Sequence, residues 1–363
     1  MGTSTHSQTR NSSVNNRNRK RKMSRRRRQR RKLLLMIAAI FVAIIFLIIA
    51  FVWNKYDKMG KVLIHEKDVQ INELSEETKE VLKGYESIAV FGLDNRSTGN
   101  FERGNSDAIL VVSINKENGE VKMASVYRDT YLDIGNNSFR KANAAYANGG
   151  PKQAIEMLNK NLDLNITDYV SVDFSSLVEA IDLLGGIELD IEADEVGHMN
   201  NYIDTTNQIT NHNSGHVSAG QGVHVDGVQA TAYTRIRYTT GWDFKRTERQ
   251  RTVITKMFEK AKHCDLLTLN NFLDEMLPKI STSLSATELL GLAKDAGKYY
   301  MGENTGFPFE QTSGEGSLQY MVIPVNLENN VVLLHQFLYS NEVYTPSQTV
   351  KDLSATIHLN TGK

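Results

Sequence analysis

Cysteine occurs once in the 363 residues, at Cys264. That excludes an intramolecular disulfide framework and any zinc or iron-sulfur site built on several thiolates. Several common catalytic signatures are missing as well. The chain has no Walker A loop and no G-x-G-x-x-G, which removes the usual nucleotide readings, and no G-x-S-x-G around any serine. No internal repeat is visible. Acidic residues are absent from residues 1–32, which hold thirteen of the 42 basic residues. The remaining 331 residues carry 29 basic against 42 acidic, a net of −13, so the bulk of the chain does not suggest a nucleic-acid-binding surface.

What is present begins with an address. Leu33 to Trp53 is an uncharged apolar run of 21 residues, which as a helix rises about 31 Å and matches a hydrocarbon core of about 30 Å. It exceeds the apolar region of a cleaved signal peptide, and no small-residue cleavage site follows it. The block Arg25, Arg26, Arg27, Arg28, Arg30, Arg31 and Lys32 precedes it, and the positive-inside rule holds such a block in the cytoplasm. The expected plan is a basic disordered tail over 1–32, a transmembrane helix over 33–53, a stalk over 54–84, a catalytic ectodomain over 85–345 and a C-terminal tail over 346–363. Everything after Trp53 is expected outside the cell.

Strand and helix alternate along the ectodomain, which indicates a layered α/β fold. Ser87 to Gly92 reads as a buried strand, and Asp107–Ile114 with Glu120–Val126 as a hairpin turning at Asn118-Gly119. Phe174 to Leu184 has helical spacing, ends at Gly185-Gly186, and is followed by strict alternation from Ile187 to Ile191. Residues 194–222 read as a polar insertion. A long helix is expected from about Asp243 to Lys262.

Three clusters could carry chemistry. Asp94 and Asp107, beside Arg96, could hold a hard divalent cation and a bridging phosphate, or could be a turn cap and a solvated strand residue. Arg128 with Lys141 forms the second cluster. Arg235 and Arg237, sharing a face of an extended segment, form the third with Arg246, Arg249 and Gln250 on the following helix. Guanidinium forks suit phosphate oxygens, although any single Arg could equally pair with Asp243 or Glu248 on the surface. His198, His212, His216 and His224 are not aligned for zinc, because Asn213, Ser214 and Gly215 interrupt the helix that would align them.

The order of motifs resembles the LytR-CpsA-Psr family of cell wall glycopolymer ligases. The matching residues are Gly92-Leu93-Asp94-x-Arg96, Ser106-Asp107-Ala108-Ile109, Arg128-Asp129-Thr130, Lys141 to Tyr146 with Gly149-Gly150, Ile181-Asp182-x-Leu184-Gly185-Gly186, and Tyr233-x-Arg235-x-Arg237 with Asp243, Arg246 and Arg249-Gln250. Tyr127 stands where the family usually has proline.

The resemblance implies an α/β/α sandwich around a central mixed sheet, with an apolar groove for a polyprenyl chain. It implies transfer of a glycosyl-phosphate from a polyprenyl-pyrophosphate-linked glycopolymer to a hydroxyl of peptidoglycan, at the membrane and without nucleic acid. Asp94 and Asp107 would associate with Mg²⁺, while Arg96, Arg128, Arg235, Arg237 and Arg246 would face the phosphates, joined by Lys141, Arg249 and Gln250. Both carboxylates are expected to be dispensable for folding. A membrane-anchored regulator sensing wall precursors, and a pyrophosphatase acting on the same lipid, are the competing functions.

Overall fold

The computed structural model describes residues 60–363 except 62, 63, 65, 94–100, 103 and 342, all within the unit Lys55–Lys363. The basic tail, the apolar run Leu33–Trp53, Asp94 and Arg96 lie outside the described residues. Among those described, no helix is long and apolar enough to cross a membrane.

The strands are β1 (Gly60–Lys61), β2 (Tyr85–Leu93), β3 (Ser106–Asn115), β4 (Glu120–Val126), β5 (Tyr131–Asp133), β6 (Phe139–Lys141), β7 (Asp168–Asp173), β8 (Ile187–Ile191), β9 (Gly220–Val225), β10 (Ser281–Thr282), β11 (Tyr300–Phe307), β12 (Gln311–Ser313) and β13 (Val322–Pro324). The helices are α1 (Glu76–Lys83), α2 (Ala144–Leu162), α3 (Phe174–Leu183), α4 (Ala193–Thr210), α5 (Gly227–Arg235), α6 (Trp242–Lys262), α7 (Leu266–Met276), α8 (Ala286–Asp295), α9 (Leu327–Tyr339) and α10 (Gln348–Thr361).

Seven strands form one mixed sheet in the order β1-β10-β7-β2-β3-β4-β11. β3 is antiparallel to both β2 and β4, while β7 joins β2 in parallel. Side chains alternate across the sheet. Ala89, Phe91, Ile109 and Val111 face a core with α2, α9 and α10, and Val90, Leu110, Val112 and Met123 face α3, α6 and α7 across a cavity. Helices on both faces of a mixed sheet match the expected layering.

A second apolar cluster lies beyond α3, where β8 and β9 pair antiparallel and α4, α5 and α6 bury Met199, Ile203, Val228 and Val253. Gly227 opens α5 against α3 so closely that a Cβ there would come within 2.0 Å of the Val178 carbonyl oxygen. The same end of α5 is fixed by a capping box between Asp226 and Gln229, and by the Gly227 amide donating to Asp182 at 2.7 Å.

Three sequence expectations need correction. Residues 346–363 are not a tail, because α10 places Val350, Leu353 and Ile357 in the main core. The segment 54–84 is not wholly a stalk, since Val69, Leu74 and Leu82 join that same core. Asp163, in left-handed backbone at the end of α2, ties both ends down: it accepts from Asn72 at 2.6 Å and from the Ser347 amide and hydroxyl at 2.7 Å each. The polar stretch 194–222 is chiefly α4 and the start of β9, its helix held by a capping box between Glu192 and Glu195.

Candidate active site

The site grows from an irregularity in the sheet. β2 and β3 run in register until Gly92 faces Ala108, and then Leu93 faces Ser106, so Asp107 is the extra residue of a β-bulge. A bulge re-aims the side chains around it and frees backbone groups from the ladder. Both consequences are visible. Asp107 and Ala108 both line the cavity on the α6 side of the sheet, and the Asp107 carbonyl accepts from Arg246 Nη2 at 2.9 Å. Gly92 is needed opposite, because a Cβ there would approach that of Ala108 to 3.0 Å.

Around Asp107 the chain gathers guanidinium groups. Arg128 Nη1 donates to both Asp107 carboxylate oxygens at 3.0 Å, and Arg237 Nη2 donates to Oδ2 at 3.2 Å. Arg246 Nη1 lies 3.8 Å from Oδ2. Asp243, one helical turn before Arg246, sits 3.2 Å from Arg246 Nε and 3.8 Å from Arg128 Nε. Asp129 lies 3.6 Å from Arg128 Nε and binds Lys141 Nζ at 2.9 Å. Arg128, Lys141, Arg237 and Arg246 thus converge with Asp107, Asp129 and Asp243, four cations against three carboxylates.

The electrostatics are those of a crowded, half-dry site. Burial pulls the Arg246 guanidinium down to about 10, with Asp243 opposing and Arg128 and Arg237 reinforcing the fall. Burial also disfavours the charge on Arg128, yet Asp107, Asp243 and Asp129 more than offset it and raise its pKa. Among the described residues, Arg128 Nε, Arg246 Nε and both carboxylate oxygens of Asp243 are buried without a hydrogen bond of acceptable geometry. Unsatisfied donors and acceptors at one place indicate a site with bonding capacity left for a ligand.

Not every expected residue joins this group. Arg235 and Arg237 do not meet one partner. Arg235 donates to Thr206 at 2.8 Å and lies over the rings of Tyr202 and Phe174 at 5.0 and 5.6 Å. Arg249 is turned inward: its Nε binds Glu195 at 2.7 Å, Nη1 the Ile236 carbonyl at 3.1 Å and Nη2 the Thr239 hydroxyl at 2.7 Å. With 2% of its side chain exposed, it holds the loop before α6. Gln250 lines the apolar cavity instead.

Asp129 and Asp243 stood in the sequence motifs, Asp243 also as a surface partner for an Arg, but neither was assigned to the site, and Glu195 was not singled out at all. Asp243 carried a signal in its i, i+3 spacing to Arg246, and Asp129 in its adjacency to Arg128. Glu195 lies 54 residues from Arg249 and carried none.

The cavity extends from this cluster between the sheet and α3, α6 and α7. Its volume is about 460 Å³, and its walls include Leu110, Val112, Leu177, Ile254, Phe258 and Phe272. No group of three or more His, Cys, Asp or Glu arranged for a metal occurs among the described residues. Cys264 follows α6 and donates weakly to the Lys260 carbonyl.

The fold has known counterparts. A crystal structure of a protein described as a transcriptional regulator from Enterococcus faecalis superposes with a TM-score of 0.58 at 24% identity, covering 78% of this chain and 97% of that one. TagT bound to LI-WTA superposes with a TM-score of 0.53 at 20% identity, covering 83% and 97%. In sequence, the polyisoprenyl-teichoic acid–peptidoglycan teichoic acid transferase TagU of Enterococcus faecalis is 31% identical over 215 residues, 58% of this chain and 65% of that protein. The match therefore spans just under two thirds of that relative. Residues 49–323 match the model of the LytR_cpsA_psr family, and the chain belongs to that family.

Proposed function

We propose that the protein transfers a glycosyl-phosphate from a polyprenyl-pyrophosphate-linked glycopolymer to a hydroxyl of peptidoglycan. The observation that carries this reading is the continuity of two chemistries: Asp107 lines the apolar cavity and also anchors the guanidinium cluster. An isoprenoid tail suits the first and a pyrophosphate the second. Relatives named as teichoic acid transferases supply the polymer class.

In the proposed reaction, an acceptor hydroxyl oxygen attacks the phosphorus nearer the sugar, forming a new phosphodiester bond. The bond from that phosphorus to the bridging oxygen breaks, and polyprenyl phosphate leaves with the bridging oxygen. Arg128, Arg237 and Arg246 bind the phosphate oxygens and neutralise charge growing on the leaving group. Lys141 and Asp129 steady Arg128, and Asp94 orients the acceptor hydroxyl and takes its proton.

Carboxylate oxygens suit a hard cation, and Asp107 lines the cavity beside Asp243, whose oxygens make no hydrogen bond of acceptable geometry although Arg246 Nε lies 3.2 Å away. Asp107 and Asp94 would hold Mg²⁺, which when bound supplies further charge neutralisation at the pyrophosphate. Leu33–Trp53 would anchor the chain in the membrane with residues 54–363 outside, where both substrates lie. An impermeant label applied to intact cells should reach the folded domain, and protection would overturn that topology.

The test of function is a transfer assay. Full-length protein in vesicles is given glycan-labelled lipid donor and peptidoglycan. Label covalently joined to peptidoglycan, with polyprenyl monophosphate released, is the expected result, and label left on the lipid overturns the proposal.

A further inference from the structure

Two aromatic side chains stand in the solvent beside the guanidinium cluster. Tyr238 is 63% exposed and Trp242 66%, and their rings meet edge to face at 6.3 Å and 78°. His198, on α4, adds a third ring 6.1 Å from Tyr238. Each of the pair adjoins a member of the cluster along the chain, Tyr238 following Arg237 and Trp242 preceding Asp243. Large exposed aromatics grouped at a site are costly to leave in water and mark a binding surface.

The loop that carries them is held from below by hydrogen bonds. Buried Arg249 grips the Ile236 carbonyl and the Thr239 hydroxyl, and the Trp242 amide donates to the Thr239 carbonyl at 3.1 Å. Gly241 and Trp242 both adopt positive φ, 96° and 48°. For Trp242 that conformation is strained, and it persists because the surrounding contacts fix it. A held loop bearing aromatics is preorganised, so little ordering entropy is lost when a ligand stacks on it.

We infer that Tyr238 and Trp242 form a stacking platform for the first sugar rings of the donor glycan. The inference rests on the phosphate site proposed above and adds a saccharide subsite to it. The C–H face of a pyranose carries partial positive charge and suits the negative face of an aromatic ring, while its hydroxyls remain hydrated. Position selects the donor. The lipid would leave the pyrophosphate through the cavity, which neither Tyr238 nor Trp242 lines, whereas both adjoin cluster residues Arg237 and Asp243 along the chain, so the platform would meet the sugar on the other side of the pyrophosphate.

The test compares two probes on full-length protein in lipid nanodiscs: a short-prenyl pyrophosphate bearing an N-acetylhexosamine disaccharide, and the same prenyl pyrophosphate without sugar. The sugar should improve affinity roughly five- to tenfold. Tyr238→Ala and Trp242→Ala should each erase that gain and leave binding of the sugarless probe unchanged. The chain has two tryptophans, Trp53 and Trp242, so Trp53→Phe isolates Trp242 emission. That emission should respond to the glycosylated probe alone.

Equal loss for both probes, or no loss for either in the aromatic variants, overturns the platform. A response of Trp242 to soluble peptidoglycan oligosaccharide without donor overturns the donor as occupant. Arg237→Ala reads the phosphate site separately. It should weaken both probes, and unaltered sugarless binding would sink the phosphate reading together with this one.

Discussion

Arg246 is bound to Asp107 at the main chain: its Nη2 donates to the carbonyl that the β-bulge releases from the sheet, at 2.9 Å, with 2% of the arginine side chain exposed. The arginine therefore stabilises the bulge and supplies charge to the site. Arg246→Met would leave the Asp107 carbonyl without its donor and the Asp243 carboxylate without its nearest cation. Breaking a buried pair from one side costs about 3–5 kcal/mol, so the variant should melt well below wild type. Arg246→Lys keeps a charge and loses the fork, and should recover part of the stability while transfer stays low. Calorimetry on both variants checks this.

Arg249 and Arg237 should separate stability from binding. Arg249 and Glu195 are each 2% exposed in their side chains and pair at 2.7 Å. Glu195→Gln, which leaves Arg249 charged and buried, should destabilise by about 3–5 kcal/mol. Arg237 is 36% exposed, and Arg237→Ala should leave the melting temperature close to wild type while donor affinity falls at least tenfold. Paired melts and titrations decide between these roles.

Filling the cavity should act on the lipid alone. Ala261 on α6 lines its wall opposite the sheet residues Leu110 and Val112, so Ala261→Trp occupies volume that an isoprenoid tail needs. Affinity for a long-chain prenyl pyrophosphate should fall about 10- to 100-fold, on the scale of several buried methylenes at ~0.8 kcal/mol each. Binding of inorganic pyrophosphate should not change.

His335 makes the fold acid-sensitive far from the site. It is stacked on Tyr344 at 3.7 Å and bonded through Nε2 to the Leu162 carbonyl at 3.0 Å, with Nδ1 buried and unpaired. Burial pushes its pKa down to about 4. Its folded value lies below the unfolded one, so above about pH 6.5 it is neutral in both states and neutral for stability. As pH falls from 6.5 toward 4 the unfolded chain takes up a proton the folded chain refuses, and stability on the order of 3 kcal/mol is lost. His335→Gln should flatten the decline in melting temperature between pH 6.5 and 4.5.

Local pattern carried the elements that bury one clean face. The β3–β4 hairpin, α3 with its double-glycine stop, and α6 lie where alternation and helical spacing place them. β11 was not expected, because Tyr300–Phe307 contains two glycines and little alternation and is a strand through parallel pairing to β4 at the sheet edge. Within the site, the sequence singled out Arg128, Lys141, Arg237, Arg246 and Asp107, and the fold brings these five into one cluster. It could not tell Arg246 from Arg249, three residues apart on one helix. Their roles depend on Asp107 and Glu195, which only the tertiary fold delivers. The expectation that Asp107 is dispensable for folding also meets its surroundings here: a carboxylate accepting from Arg128 and Arg237 contributes to holding them.

The central claim is that phosphorus passes from lipid carrier to a sugar hydroxyl without passing through water. Running the transfer reaction in water enriched in heavy oxygen, with donor, peptidoglycan and full-length protein, and weighing the products by mass spectrometry, tests it directly. The account predicts a phosphodiester on peptidoglycan and released polyprenyl phosphate, both free of solvent oxygen, and neither product with Asp107→Asn. Heavy oxygen in free glycan phosphate or in polyprenyl phosphate would mean that water is the acceptor, and would contradict it.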